Sequence, residues 1–291
     1  MIDRGFLLID KSGGWTSHDV VAKARRITGI RKIGHAGTLD PMATGLVILG
    51  IGRATKLLRF VQDLPKEYVA KALFGVATDS LDADGVEVAR AAMPISHVDL
   101  EAVIPQFVGP IMQVPPMVSA LKQDGRRLHE LARQGVEVER PPRPVVVHRL
   151  DLIEFVDGDH PEAVFRIRCG KGTYVRSLVD DMAQALGGRA HLTALRRIRN
   201  GSLSVEDAVT LEELERDGDG WARHVLTPAD ALADLPAIEL TESEAVAVSN
   251  GGRLARPDGT DEGSVYRMLS GGRLVAVYRV APMELVSEVG L

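Results

Sequence analysis

Asp40 is the side chain whose surroundings point most directly to chemistry. It stands in Gly34-His35-Ala36-Gly37-Thr38-Leu39-Asp40-Pro41, within the stretch RKIGHAGTLDPMATGLVILGIGR over 31–53. Gly34 and Gly37 permit turns that a Cβ hinders. Pro41 fixes its own φ, removes a donor and pushes Asp40 out of the helical region. A carboxylate held at such a turn, just ahead of the apolar run 46–51, can act as a nucleophile or a proton acceptor. Asp-Pro is also a common turn start, so a purely structural turn fits the same residues. Asp82-Ala83-Asp84 has the spacing of a metal-binding carboxylate pair, but nothing nearby in the sequence completes a site, and 77–85 reads as an Asp-rich turn. Cys169, the single cysteine, ends the alternating run 163–169 and reads as a small buried apolar residue.

The elements that must position these residues follow from periodicity. A buried strand is expected over 5–10. Ser17 should cap a helix with Val20, Val21, Ala24 and Ile27 at helical spacing, ended by Gly29. Strands are expected over 45–50, 66–75, 145–156, 162–169 and 191–198, with short helices over 54–60 and 126–134 and one from Ser96 through 107. Gly170 and Gly172 break a strand just before Thr173-Tyr174-Val175-Arg176. A helix carrying Leu178, Val179, Met182 and Leu186 follows. Strands with interspersed helices predict a mixed α+β domain over 1–232. A small β-rich module over 233–291 should contain a helix over 242–249 and a hairpin turned at Gly271-Gly272.

At 291 residues one large domain plus a small one is expected. One cysteine excludes a disulfide framework and a multi-cysteine zinc site. No apolar stretch reaches the ~20 residues needed to span a bilayer, and the start has no signal-peptide pattern. A reducing cytoplasm fits these features. The net charge of −5 is unevenly spread: +6 over 1–62, −5 over 63–110, +4 over 111–205 and −10 over 206–291. Binding to phosphates depends on the local field rather than the total. The sequence contains no P-loop and no dinucleotide fingerprint.

The stretch around Asp40, with Ala43, Gly45 and Gly52-Arg53-Ala54-Thr55-Lys56, resembles the active-site signature of the bacterial tRNA pseudouridine-55 synthases, a family of pseudouridine synthases. The resemblance extends to Asp10-Lys11 with Gly14 and Thr16-Ser17, to Lys66-Glu67-Tyr68, and to the block from Pro115 to Lys122. It continues in the block from Gly170 to Arg176 and in Ala190-His191-Leu192 through Arg196-Arg197. Six ordered blocks cover about the first 200 residues.

The resemblance implies an α+β fold, with a mixed, largely antiparallel sheet, flanking helices and a small C-terminal domain like the RNA-binding module named after pseudouridine synthases and archaeosine transglycosylases. The acidity of that region departs from an RNA-binding role. The implied reaction is isomerisation of a uridine in the T-loop of tRNA, by base flipping and without a cofactor or metal. Asp40 would be the catalytic carboxylate and Arg176 its ionic partner, although a phosphate contact is an alternative for Arg176. Tyr68 would stack on the target base, His35 would lie near the target nucleotide, and Leu195 would line the uracil pocket. Lys11, Lys122, Arg196 and Arg197 are the candidate phosphate contacts. The implied partner is the T-stem-loop of tRNA, with no membrane, no obligatory protein partner and a monomeric chain. Ser12 stands where the family usually has proline, and Leu128-His129 replaces its usual tyrosine pattern. A non-catalytic RNA-folding protein on the same scaffold and a carboxylate-nucleophile phosphatase are the rival classes.

Overall fold

The computed structural model describes residues 3–118, 122–123, 126–127 and 138–291. A ten-stranded sheet forms the body. Its strands are β1 (Arg4–Lys11), β2 (Ile33–His35), β3 (Thr44–Gly52), β4 (Lys66–Phe74), β5 (Gly109–Gln113), β6 (Arg143–Val156), β7 (Glu162–Cys169), β8 (Ala190–Asn200), β9 (Leu203–Ser204) and β10 (Val225–Leu226). The order across the sheet is β10-β1-β3-β8-β4-β7-β6-β5, with β2 on β3 and β9 on β8. Every pairing is antiparallel except β8 with β3.

The central strands are buried on both faces, which is why β1 and β3 read as continuous apolar runs. Leu7, Ile9, Val47 and Leu49 face a core with α1 (Ser17–Thr28) and α4 (Val175–Ala185), joined by Phe165 and Ile167. Their neighbours Phe6, Leu8, Leu46 and Ile48 face a second core. It is covered by Leu57, Phe60 and Val61 around α2 (Leu58–Asp63) and by Leu274, Val277 and Val289 from the C-terminal region.

That region folds as a second, five-stranded sheet, ordered β11-β13-β14-β15-β12. Its strands are β11 (Ala237–Glu239), β12 (Leu254–Ala255), β13 (Val265–Ser270), β14 (Arg273–Val280) and β15 (Glu284–Gly290). The hairpin between β13 and β14 turns at Gly271 and Gly272, both at positive φ, the two-residue geometry that such a glycine pair favours.

Several local expectations are corrected. The cap of α1 is Thr16, whose hydroxyl and backbone form a reciprocal box with Asp19. Ser17 instead receives the Leu39 N–H on its hydroxyl at 2.9 Å, so it ties α1 to the loop before Asp40. The helix expected over 54–60 is a 3₁₀ turn, Arg53–Leu57, running into α2. The helix from Ser96 is α-helical only over α3 (His97–Val103), where Pro105 follows in a 3₁₀ turn. Arg126–Arg127 pairs in extended form with Lys122–Gln123, against the expected helix from 126. The remainder of that expected helix, 128–134, lies outside the described residues.

One glycine controls how β8 reaches the site. Gly45 pairs with Arg197 across the parallel β3–β8 contact, at φ +97°, and a Cβ there would lie 2.2 Å from the Arg197 carbonyl oxygen. Gly45→Ala should therefore cost about 3 kcal/mol or more, through strain and separation of the two strands. Thermal unfolding of the variant checks this, and a melting temperature equal to that of the parent contradicts it.

Candidate active site

Asp40 is held by contacts made from three directions. The Leu39 N–H rests on Ser17, the Gly14 N–H donates to the Pro41 carbonyl at 2.8 Å, and Lys11 Nζ donates to the same carbonyl at 3.1 Å. Lys11 is 1% exposed. Burial pulls its pKa down to about 8, and the Asp40 charge opposes that shift. Lys11 thus braces the loop, with its ammonium on a backbone carbonyl rather than at the surface.

Arg176 stands in the first turn of α4. No side chain of the helix caps that end. The amide of Gln113 does the work from β5: it accepts the Tyr174 N–H at 2.8 Å and donates to the Tyr174 carbonyl at 3.0 Å. From this fixed base the guanidinium reaches Asp40 Oδ2 with Nε at 3.0 Å and Asp82 Oδ2 with Nη1 at 3.1 Å. Nη1 also donates to the Ser80 carbonyl, and Nη2 to the Val118 carbonyl at 2.9 Å. Arg176 is 3% exposed and Asp82 5%, whereas Asp40 is 34% exposed. The carboxylate is therefore the member of the array that meets the cavity.

Asp82 was not legible as a site residue. Its turn is built from local contacts, with the Ser80 hydroxyl and the Asp84 N–H both donating to Oδ1, and Leu81 held at φ +64°. A bulky residue rarely adopts that conformation, and such strain gathers near functional groups. The other oxygen serves Arg176, 94 positions later in the chain. No third metal-ligating side chain joins Asp82 and Asp84 among the described residues.

The electrostatic result is opposed forces on Asp40. Burial pushes its pKa up, Arg176 pulls it down, and the Asp82 charge pushes it up again. The net shift is upward, so the ionised form is lost at a higher pH than for a free aspartate. A reaction that needs the carboxylate will show an acidic limb in kcat/KM above the ordinary aspartate range. Asp82→Asn removes a like charge and should move that limb to lower pH, while the maximal rate falls about tenfold as Arg176 loses an anchor. An unmoved limb in the pH profile would contradict this coupling.

Asp40 borders a cavity of about 670 Å³ that also meets Thr38, Tyr68, Tyr174, Arg176, Leu195 and Arg197. That volume suits a ligand of small-molecule size. Tyr68 on β4 and Leu195 on β8 give it an apolar wall. Burial raises the phenol's pKa, and the neighbouring Arg197 opposes the rise. Tyr68 is therefore neutral at neutral pH. Arg197 is buried, with Nε on the Leu46 carbonyl at 2.6 Å.

Two expected residues stand elsewhere, and the side chain of a third is not among those described. Arg196 points to the opposite face of β8, because successive strand residues alternate, and it forks onto Asp10 at 3.0 and 2.7 Å. His35 on β2 does not border the cavity; its ring meets that of His18 edge-on, with centroids 5.3 Å apart. Burial lowers its pKa. The Lys122 backbone pairs with Arg127, and its side chain lies outside the described residues. Gln62 and Asp63, which no sequence motif singled out, also border the cavity, as does Lys171 of the Gly170 to Arg176 block.

Comparison with known proteins places this arrangement. Residues 25–175 match the model of the TruB family pseudouridylate synthase N-terminal domain, and 176–233 match that of the tRNA pseudouridylate synthase B C-terminal domain. A tRNA pseudouridine synthase B of Azoarcus sp. is 45% identical over 94% of this chain and 90% of its own length. The corresponding protein of Heliobacterium modesticaldum is 43% identical over 94% and 89%. Among solved structures, a chain of a Cbf5-Nop10-Gar1 complex superposes with a TM-score of 0.78 at 26% identity, covering 99% of this chain and 84% of that one. With these matches and the Asp40 loop in its cavity, the chain belongs to the TruB family of pseudouridylate synthases.

Proposed function

We propose that this chain converts uridine 55 in the T-loop of tRNA to pseudouridine, with Asp40 as the essential carboxylate. The observation that carries the reading is the Asp40–Arg176–Asp82 array, 3.0 and 3.1 Å long, bordering a cavity with an apolar wall of Tyr68 and Leu195. The bond between N1 and C1′ breaks, the base turns, and C5 bonds to C1′; the C5 proton leaves and N1 gains one. Atoms and electrons balance without a redox partner. Arg176 keeps Asp40 oriented and favours its ionised form against the cost of burial. Tyr68 offers a neutral ring to a base that has left its stack, and Leu195, its diagonal neighbour on the adjacent strand, extends the same apolar wall. Flipping costs a few kcal/mol for a stacked base, so a preshaped loop is a better substrate than a regular duplex.

The chain is further proposed to act on the T-stem-loop as a cytoplasmic monomer. The proposed division into a catalytic domain over 1–232 and a small domain over 233–291 is supported by the separate five-stranded sheet of the latter.

The test is tritium release from tRNA labelled at uridine C5, with EDTA present. One equivalent released per tRNA, and none when the T-loop uridine is replaced, is the expected result. Tight, salt-sensitive binding without release would favour the RNA-folding alternative.

A further inference from the structure

Four cationic side chains border the cavity among the described residues: Lys66, Lys171, Arg176 and Arg197. Three of them are buried and spent. Arg176 holds Asp40, Asp82 and two carbonyls. Arg197 holds the Leu46 carbonyl. Lys66 Nζ donates to the carbonyls of Gln62 and Leu64, the latter at 2.7 Å, and so fastens the end of α2.

Lys171 differs. Its side chain is 68% exposed, and its Nζ contacts Asp63 Oδ1 at 2.8 Å; Asp63 is itself 62% exposed. Lys171 stands on a short loop pinned at both ends, by the Gly170 N–H on the Val146 carbonyl and by the Thr173 hydroxyl on the Gly170 carbonyl. Asp63 is the last residue of α2. The ion pair therefore bridges two walls of the cavity at its solvent side.

We infer that Lys171 is a ligand for a phosphate of the RNA strand whose base enters the cavity, and that Asp63 holds its ammonium until that phosphate displaces it. The inference rests on the reading of the chain as an RNA isomerase. A nucleotide that turns its base into the cavity keeps its phosphodiesters at the rim. Lys171 is the cavity cation with its ammonium at that rim. An ion pair exposed on both sides contributes little, so giving it up costs little. A lysine on phosphate also gains from counterion release, which the pair with Asp63 does not offer. Asp63 limits the rotamers of Lys171 before binding and repels the phosphate afterwards, so it tempers affinity.

The experiment measures Kd, KM and tritium release with a T-stem-loop RNA over a range of KCl concentrations. Lys171→Ala should raise Kd and KM about five- to tenfold and reduce the salt slope by about 0.7 to 0.9, with the loss falling on KM rather than kcat. Lys171→Arg should keep the slope. Asp63→Asn should tighten binding about two- to threefold, because the cation remains and the repulsion is gone. A Kd and salt slope unchanged in Lys171→Ala would overturn the phosphate assignment alone. Weakening by Asp63→Asn equal to that of Lys171→Ala would also overturn it, since the pair would then be a structural clasp. Absence of tritium release by the unaltered chain would sink the isomerase reading and this inference with it.

Discussion

Asp40→Asn should bring tritium release to background, a loss of about four orders of magnitude or more, while binding of the T-stem-loop survives within a few-fold. The amide is isosteric with the carboxylate, so the Leu39–Ser17 and Pro41–Lys11 contacts that shape the loop remain. What disappears is the charge and the basic lone pair. The amide can neither accept a proton nor form an ester-like bond as a carboxylate does, so both roles open to Asp40 are lost together. The substitution also relieves the burial penalty that raises the Asp40 pKa, so an unfolded variant is not expected. Turnover by a folded Asp40→Asn protein would remove Asp40 from the chemistry.

The second large effect belongs to Arg176. Arg176→Lys keeps a positive charge but should lower kcat about 10²- to 10³-fold. A single ammonium cannot reach Asp40, Asp82 and the carbonyls of Ser80 and Val118 from the geometry the guanidinium uses. Arg176→Ala is expected to be worse in a different way. It leaves Asp82 charged and buried without its partner, at a cost of about 3–5 kcal/mol in stability. Adding Asp82→Asn to Arg176→Ala should recover part of that stability and none of the activity. Denaturant unfolding beside tritium release separates the two losses. Near-parental turnover in Arg176→Lys would show that only charge, not the fork of the guanidinium, matters to Asp40.

The sequence made some of this legible and hid the rest for physical reasons. Strands β1, β3 and β7, the helix at Glu242–Ser249 and the glycine hairpin follow from patterns that repeat within a few residues, and each appears close to its expected bounds. Asp40 stood out because Pro41 and the nearby glycines constrain it locally. Asp82 did not, because a turn aspartate and an ionic anchor look alike until the fold brings Arg176 to it. Charge was misleading in the same way. Lys11 and Arg197 read as surface cations, yet both are buried with their donors on backbone carbonyls. Strand alternation places Arg196 and Arg197 on opposite faces, but which face meets the cavity depends on Gly45 and the β3–β8 contact. Ser17 and Thr16 are equally good caps by type, and the demand of the Leu39 N–H decided between them.

The second core gives the C-terminal sheet a duty unrelated to its charge. Leu274, Val277 and Val289 close over Phe6, Leu8, Leu46 and Ile48, while Arg59 reaches across to Glu288 at 2.6 Å. A protein cut after residue 232 would open this greasy seam beneath the strands that carry Asp10 and Thr44, and would be prone to clump before it met any tRNA. Loss of activity on truncation therefore measures an exposed seam. The contribution of the C-terminal sheet to substrate affinity is to be read from charge-neutralising changes on its solvent side, such as Glu239→Gln, made in the intact chain.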